Sequence, residues 1–125
     1  MKKSIFLSSV FLSLLLISCG QKHDAEKLIS NFLDNNLVDN DIREKTFSDI
    51  DSTFYINDSI VNAMRTNART NRLVKKEAQY GTEKVSGKLL FMSVKYRKND
   101  GTMQKFTFYM DPELEEIVAF KQDAI

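Results

Sequence analysis

Apolar residues change from helical spacing in the first half of the chain to strand-like alternation in the second half. In the first half, two stripes recur every three or four positions, as on one face of an α-helix. The first stripe is Ala25, Leu28, Ile29, Phe32 and Leu33, and the second is Ile60, Val61, Met64 and Ala68. The pattern predicts a first helix ending near Asn35 and Asn36 and a second helix capped by Asn57 or Asp58.

The segments next to the second helix have weaker patterns. Residues 39–53 are rich in Asp, Ser and Thr, which predicts a loop, with or without a helical turn. Residues 54–56 fit a short strand or an extended lead into the helix. Residues 72–80 place Leu73 and Val74 among charged side chains, so they fit either the end of the helix or an additional strand.

From Lys88 onward, apolar and polar residues alternate, as in strands that bury one face. The apolar positions are Leu90, Met92, Val94 and Tyr96 in one run and Phe106, Phe108 and Met110 in the next. Gly101 completes a hairpin signal at 98–101, and Pro112 marks a turn before a last strand at 116–121. The sequence predicts an α+β fold in which two N-terminal helices pack on one face of a three- to four-stranded antiparallel meander.

A different pattern precedes the first helix. Lys2 and Lys3 are followed by residues 5–17, a run of 13 residues that are apolar or serine. As a helix this run would rise ~20 Å, at about 1.5 Å per residue, against a hydrocarbon core of about 30 Å. A basic start before a short apolar run at the N-terminus is typical of a secretory signal peptide.

The apolar run ends at Leu16, Ile17, Ser18 and Cys19, a stretch that resembles the lipobox of bacterial lipoproteins. The resemblance implies cleavage before Cys19, attachment of diacylglycerol to its sulfur, and further acylation with a chain such as palmitate. Two or more acyl chains hold a protein stably at a membrane, whereas one chain is marginal. Gly20 stands where aspartate favours inner-membrane retention in such lipoproteins, so the resemblance implies the outer membrane.

This resemblance divides the chain into a cleaved signal peptide at 1–18, a lipidated cysteine and tether at 19–24, and one domain at 25–125. The mature chain is long enough for a single domain with its own core. Residues 21–26 resemble the Lys/Gln-plus-acidic tag of surface-exposed lipoproteins of the Bacteroidota, and a plain polar tether explains them equally well. The expected location is therefore the cell envelope, on either the periplasmic or the surface face.

Charge argues against a nucleic acid as partner. Without Lys2 and Lys3, the chain has 16 basic and 17 acidic side chains. Eleven basic and three acidic residues fall within 65–105, whereas the flanking segments 22–64 and 106–125 are acidic. This asymmetry fits a basic face for lipid headgroups or acidic glycans, or oppositely charged segments that compensate each other in the fold. The nearly equal totals favour compensation.

Residues capable of chemistry are sparse. Cys19 is assigned to lipid attachment, and the only histidine, His23, lies four residues beyond it. Glu77 and Tyr80 form one pair that could work together in a pocket. The remaining acidic candidates lie in predicted loops without calcium-loop spacing: Asp49, Asp51, Glu113, Glu115 and Glu116. We therefore expect no catalytic site, no metal site and no cofactor.

Three arginines share one face of the second predicted helix. Arg65, Arg69 and Arg72 recur at helical spacing, which suits an anion grip or, more commonly, a solvated face. The solvated face is the favoured interpretation.

The favoured function is a non-enzymatic lipoprotein that presents its domain for binding or assembly, with another envelope protein as candidate partner. The order of elements also resembles the cystatin-like and nuclear-transport-factor-2-like group, in which a curved sheet wraps a helix. That resemblance implies an alternative, a small pocket protein that binds a ligand or acts as an enzyme. A continuous cavity would favour the alternative, whereas a solid core with an exposed aromatic patch would favour protein binding.

Overall fold

The structure is a computed structural model that describes residues 20–81 and 87–125. Helix α1 covers 20–36, and helix α2 spans Asp58–Thr70. The strands are β1 (Ile42–Phe47), β2 (Asp51–Thr53), β3 (Leu89–Lys98), β4 (Met103–Met110) and β5 (Ile117–Gln122). The chain therefore has the predicted α+β class, and the order of its elements is α1, β1, β2, α2, β3, β4, β5.

All five strands form one antiparallel sheet. The order is β1-β3-β4-β5, and β2 pairs with β3 on the same side as β1. Strand β1 faces the second half of β3, with Arg43 opposite Arg97, and β2 faces the first half, with Asp51 opposite Phe91. A register shift after Arg43, where Glu44 has a φ of 54°, interrupts the pairing. Strands β1 and β2 thus act as one broken edge strand.

The prediction of a loop at 39–53 is wrong, because this segment contains β1 and β2. Only Ile42 and Phe47 of β1 pack against the core, and the four residues between them are exposed, so the segment lacks the alternation of a half-buried strand. Its strand conformation depends on pairing with β3. Consequently the two helices do not both precede the sheet, and the sheet has five strands rather than three or four.

The segments that had two interpretations are also resolved. The predicted meander is confirmed as β3, β4 and β5. Residues 72–80 form no strand, and Val74 makes an isolated bridge with Leu37. Residues 54–56 lie outside the strands and lead into α2. The residues assigned to a tether at 20–24 lie within α1.

Helix α1 covers one side of the sheet, which we call the core face. Its predicted stripe faces the core, with Leu28 partly buried and the other four residues buried, and Phe32 is at the centre of an aromatic cluster. The Phe32 ring centroid lies 5.7 Å from that of Phe108 and 5.5 Å from that of Phe120, and the Phe108 and Phe120 rings stack at 5.0 Å. Aromatic pairs at these separations add to the stabilisation from buried area. The space between α1 and the sheet is filled with side chains.

Helix α2 packs along the edge strand β5. Asn57 caps it by accepting a hydrogen bond from the Ile60 backbone nitrogen at 2.9 Å. Val61 and Met64 pack in a cluster with Leu89, Tyr109, Val118 and Ala119. The prediction that Ile60 is buried is wrong, since 38% of it is exposed. Tyr109 alternates with the core residues Phe108 and Met110, so α2 reaches the sheet face opposite α1, and only Ala68 of α2 joins the core under α1. The prediction that both helices pack on one face of the sheet is therefore wrong.

Candidate functional site

The predicted lipid attachment lies outside the described residues, but the start of the described chain bears on it. Cys19 and its flanks Leu16, Ile17 and Ser18 are not described. Gly20 is already helical, and Lys22 in the first turns of α1 contacts Asp49, in the loop between β1 and β2, at 3.1 Å. Residue 20 is therefore carried by a helix that packs on the core face.

The sheet face opposite α1 bears a group of cations, which we call the basic face. Met92, Val94, Phe106 and Phe108 point to the core, so the residues alternating with them point the other way. Directly opposed residues share a face, so Arg43 lies with Arg97 and Thr46 lies with Lys95. The basic face comprises Arg43, Lys95, Arg97, Lys105 and Lys121.

The charges of the basic face are only partly compensated. Arg43 lies 3.5 Å from Asp41, Arg97 lies 3.6 Å from Glu44, and Lys121 lies 3.7 Å from Asp123. These cations are at least half exposed, so their pairs are weak. Within the described ranges, Lys95 and Lys105 have no ion-pair partner. Of these three pairs, only Arg97 with Glu44 joins the basic segment 65–105 to an acidic segment, as compensation between the segments requires.

A chain of hydroxyl groups runs beside the basic face. The Ser93 backbone nitrogen donates to Ser48 Oγ at 2.8 Å, and Ser93 Oγ lies 3.1 Å from Thr107 Oγ1. The Thr107 hydroxyl donates to Asp123 Oδ2 at 2.5 Å. Asp123 thereby holds Thr107 and, on its other oxygen, attracts Lys121. No histidine or cysteine takes part in this chain of hydroxyl groups.

The three arginines of the second predicted helix do not form an anion grip. Arg65 Nε donates to the Val118 carbonyl, and its second terminal nitrogen donates to the Gly81 carbonyl, both at 2.9 Å. Its guanidinium carbon lies 4.9 Å from the Tyr80 ring centroid. Arg69 is exposed, and Arg72 follows the end of α2 with a φ of 55°. Arg65 therefore ties α2 to the edge of β5, a role that its sequence spacing did not indicate.

Glu77 and Tyr80, the pair considered for pocket chemistry, differ in their exposure to solvent. Glu77 is exposed, whereas Tyr80 packs against Phe32 with ring centroids 5.5 Å apart. The Tyr80 hydroxyl oxygen is buried and has no hydrogen-bond partner among the described residues. Burial raises the pKa of Tyr80, and the positive charges of Arg65 and Arg69 oppose that rise. Tyr80 is thus a neutral side chain at neutral pH.

Two clefts open to solvent beside the core. One, of about 400 Å³, lies between α2 and the end of β5, and includes Asn67, Asn71 and Asp123. The other, of about 300 Å³, lies between α1 and the β4–β5 turn, and includes Asn35, Tyr80 and Glu116. Phe120 lines the first cleft, and Phe32 and Tyr80 line the second, so both clefts reach the margin of the aromatic cluster under α1.

The other residues considered for chemistry lie apart. His23 is exposed on α1, Asp49 is in the loop between β1 and β2, and Asp51 is in β2. Glu113, Glu115 and Glu116 belong to the β4–β5 turn, where the Asp111 carboxylate accepts hydrogen bonds from two backbone nitrogens. In the described part of the chain, no three His, Cys, Asp or Glu side chains are grouped as metal ligands.

An aromatic pair protrudes between β2 and α2. Phe54 is 70% exposed and Tyr55 is 88% exposed. Apolar rings this accessible are unusual on a domain that buries most of its other aromatic side chains.

Comparisons of the chain with known proteins give no match. No known family, no curated protein and no solved structure matches it. The resemblances to lipoproteins and to the cystatin-like group therefore stay predictions. Within residues 20–81 and 87–125, no helix is long and apolar enough to cross a bilayer.

Proposed function

We propose that the protein is a lipid-anchored lipoprotein of the outer membrane that acts as a non-enzymatic binding module. The anchor rests on the lipobox-like stretch that ends at Cys19. Helix α1 supports the arrangement, because it already includes Gly20 and packs on the core face. Lipid on Cys19 would therefore hold the α1 side of the domain near the bilayer and leave the basic face directed toward water.

The observation that carries the binding role is the combination of a filled core with an open sheet face. Phe32, Phe108 and Phe120 occupy the space between helix and sheet where a ligand pocket would lie. The exposed Phe54 and Tyr55 supply an aromatic patch of the kind that marks a protein-binding surface. A binding module requires exposed surface of this kind rather than an enclosed cavity.

The anchor is tested by Cys19→Ser, with fractionation of cells into membrane and soluble material. We expect the variant to leave the membrane fraction and the parent protein to stay there after a carbonate wash. His23→Ser is the matched control, since it makes a comparable change four residues away and leaves the lipobox-like stretch intact. Retention of Cys19→Ser in washed membranes would contradict the anchor.

The binding role is tested by copurification from native membranes in mild detergent. We expect an envelope component to accompany the parent protein and to be reduced by the double variant Phe54→Ser/Tyr55→Ser. If the parent protein is isolated with no accompanying component, the assembly role loses its support.

A second candidate is a small-ligand pocket at the cleft between α1 and the β4–β5 turn. It is favoured by one observation, the buried Tyr80 hydroxyl without a hydrogen-bond partner among the described residues. A ligand that accepted this hydrogen bond would satisfy the hydroxyl. The Tyr80→Phe variant described in the Discussion separates this candidate from the binding module.

A further inference from the structure

We propose that the basic face binds an acidic polysaccharide. The site consists of Arg43, Lys95, Arg97, Lys105 and Lys121 on adjacent strands. This proposal names a partner for the binding role proposed above. It depends on the lipid anchor only for the side from which that partner approaches.

The central observation is the pairing of Lys95 with Lys105. These residues are directly opposite on β3 and β4, and like charges in that position destabilise a sheet. Neither lysine has an ion-pair partner among the described residues. A bound anion would remove this repulsion, so the two ammonium groups form the centre of the site.

The surrounding cations extend the site in two directions. Arg43 and Arg97 lie two residues along the strands on one side of the lysine pair, and Lys121 lies two residues along on the other. Two residues of strand span about 6.6–6.8 Å, so three rows of cations cover about 13 Å. A ligand with repeated anionic groups can contact several rows at once, which a single small anion cannot do.

The position of α1 argues against the anchoring membrane as the occupant. Helix α1 lies on the core face, and its first described residue is Gly20. The basic face is on the other side of the sheet. If the bilayer lies on the α1 side, as in the proposed anchoring, a partner of these cations approaches from the aqueous side.

The composition of the face argues against a protein partner at this site. Specific protein interfaces have an apolar or aromatic centre surrounded by polar residues. Here the centre is the lysine pair, and Phe91 and Tyr109 lie at the end of the face that packs near α2. Thr46, beside Lys95, adds an exposed hydroxyl. Cationic side chains can pair with the carboxylate or sulfate groups of a sugar chain, and a hydroxyl can form hydrogen bonds with its sugar hydroxyls.

The test uses the full chain purified in neutral detergent and immobilised polygalacturonate as the probe. We expect binding that weakens as salt is raised, because salt screens exposed charges. Fully methyl-esterified polygalacturonate has the same backbone without the charge, and we expect it not to bind. Equal binding to the ester would overturn the proposal.

The lysine pair is tested by the double variant Lys95→Gln/Lys105→Gln. We expect its affinity for polygalacturonate to fall by about tenfold, equivalent to about 1.4 kcal/mol. The matched control is Lys27→Gln/Lys76→Gln, which removes the same charge from exposed positions elsewhere and should bind as the parent does. Equal losses in both double variants would overturn the assignment to this face.

Two further measurements keep the result interpretable. Circular dichroism identifies a variant that fails to fold, and in that case Arg97→Gln serves as a second variant, with an expected loss of affinity. Duplex DNA and anionic vesicles are tested as other polyanions, and equally tight binding to either would contradict a polysaccharide site. Cys19→Ser is tested in parallel, because polysaccharide binding without membrane attachment separates the two proposals.

Discussion

Lys95 of β3 and Lys105 of β4 lie directly opposite each other on the sheet face that α1 leaves open. Neither side chain forms an ion pair within the described ranges, although the chain has almost as many acidic as basic residues. Like charges in directly opposed positions destabilise a sheet, and this pair is the observation behind the proposal that the face binds an anion.

Lys95→Glu should therefore stabilise the domain while weakening polysaccharide binding. Opposite charges in directly opposed positions favour a sheet, and we expect a gain of about 0.5–1 kcal/mol in the free energy of unfolding. Lys95 is substituted rather than Lys105, because the Asp123 backbone nitrogen donates to the Lys105 carbonyl and a glutamate at 105 would face the Asp123 carboxylate. Urea unfolding measures the gain, and Lys95→Gln should fall between the parent and Lys95→Glu. Lys76→Glu, at an exposed position outside the sheet, is the control and should change stability by less than about 0.5 kcal/mol. A loss of stability in Lys95→Glu would show that the repulsion is not significant.

Arg65→Met should destabilise the domain by about 2–3 kcal/mol, because two carbonyl groups at the edge of β5 lose a charged donor. These are the carbonyls of Val118 and Gly81, each 2.9 Å from the guanidinium. Urea unfolding again provides the measurement. Arg69→Met removes an exposed arginine one turn further along α2 and is the matched control, with little change expected. Equal effects of the two substitutions would contradict the bridging role of Arg65.

Tyr80→Phe should stabilise the ligand-free protein by about 1 kcal/mol, because it removes a buried hydroxyl that has no partner among the described residues. Thermal unfolding of the purified protein measures the change. Tyr55→Phe is the control, since 88% of Tyr55 is exposed and its hydroxyl remains in water. A loss of stability in Tyr80→Phe would show that the hydroxyl is already satisfied in the ligand-free protein, which would remove the observation that favours the pocket candidate.

Asp39→Asn should reduce the decrease in the free energy of unfolding that occurs as the pH falls into the acid range. A hydrogen bond from Lys98, 2.9 Å away, lowers the pKa of Asp39 below its ordinary 3.8. A carboxylate with a lowered pKa contributes stability above pH 3.8, and that contribution is lost as pH falls through the folded value. Both side chains are partly exposed, so we expect only about 0.5 kcal/mol.

The measurement for this pair is urea unfolding between pH 2 and 6. The same hydrogen bond raises the pKa of Lys98 above its ordinary 10.5. The stability that Lys98 contributes is therefore fully present below pH 10.5 and is lost only as the pH rises through the folded pKa. Asp34→Asn, at an exposed position near the end of α1, is the control. An unchanged acid profile in Asp39→Asn would contradict a contribution from the pair.

Local periodicity was sufficient to predict the helices and the meander. The stripe around Ile29 and Phe32 and the alternation at Met92 and Val94 each reflect one side of an element buried against the core. These periods are properties of a few neighbouring residues, so the sequence contains them directly. The same holds for the lipobox-like stretch at Cys19, which is a contiguous pattern.

Strands β1 and β2, the edge position of α2 and the basic face were decided only by the tertiary structure. Residues 43–46 have no strand periodicity, and they join the sheet because β3 supplies hydrogen-bond partners. The basic face combines Arg43, Lys105 and Lys121, which are far apart in the chain and share a surface only through strand register. The nearly equal numbers of acidic and basic residues predicted that opposite charges would compensate each other. These numbers say nothing about where each charge lies on the surface. Register between distant strands determines which charges meet, and no local pattern encodes that register.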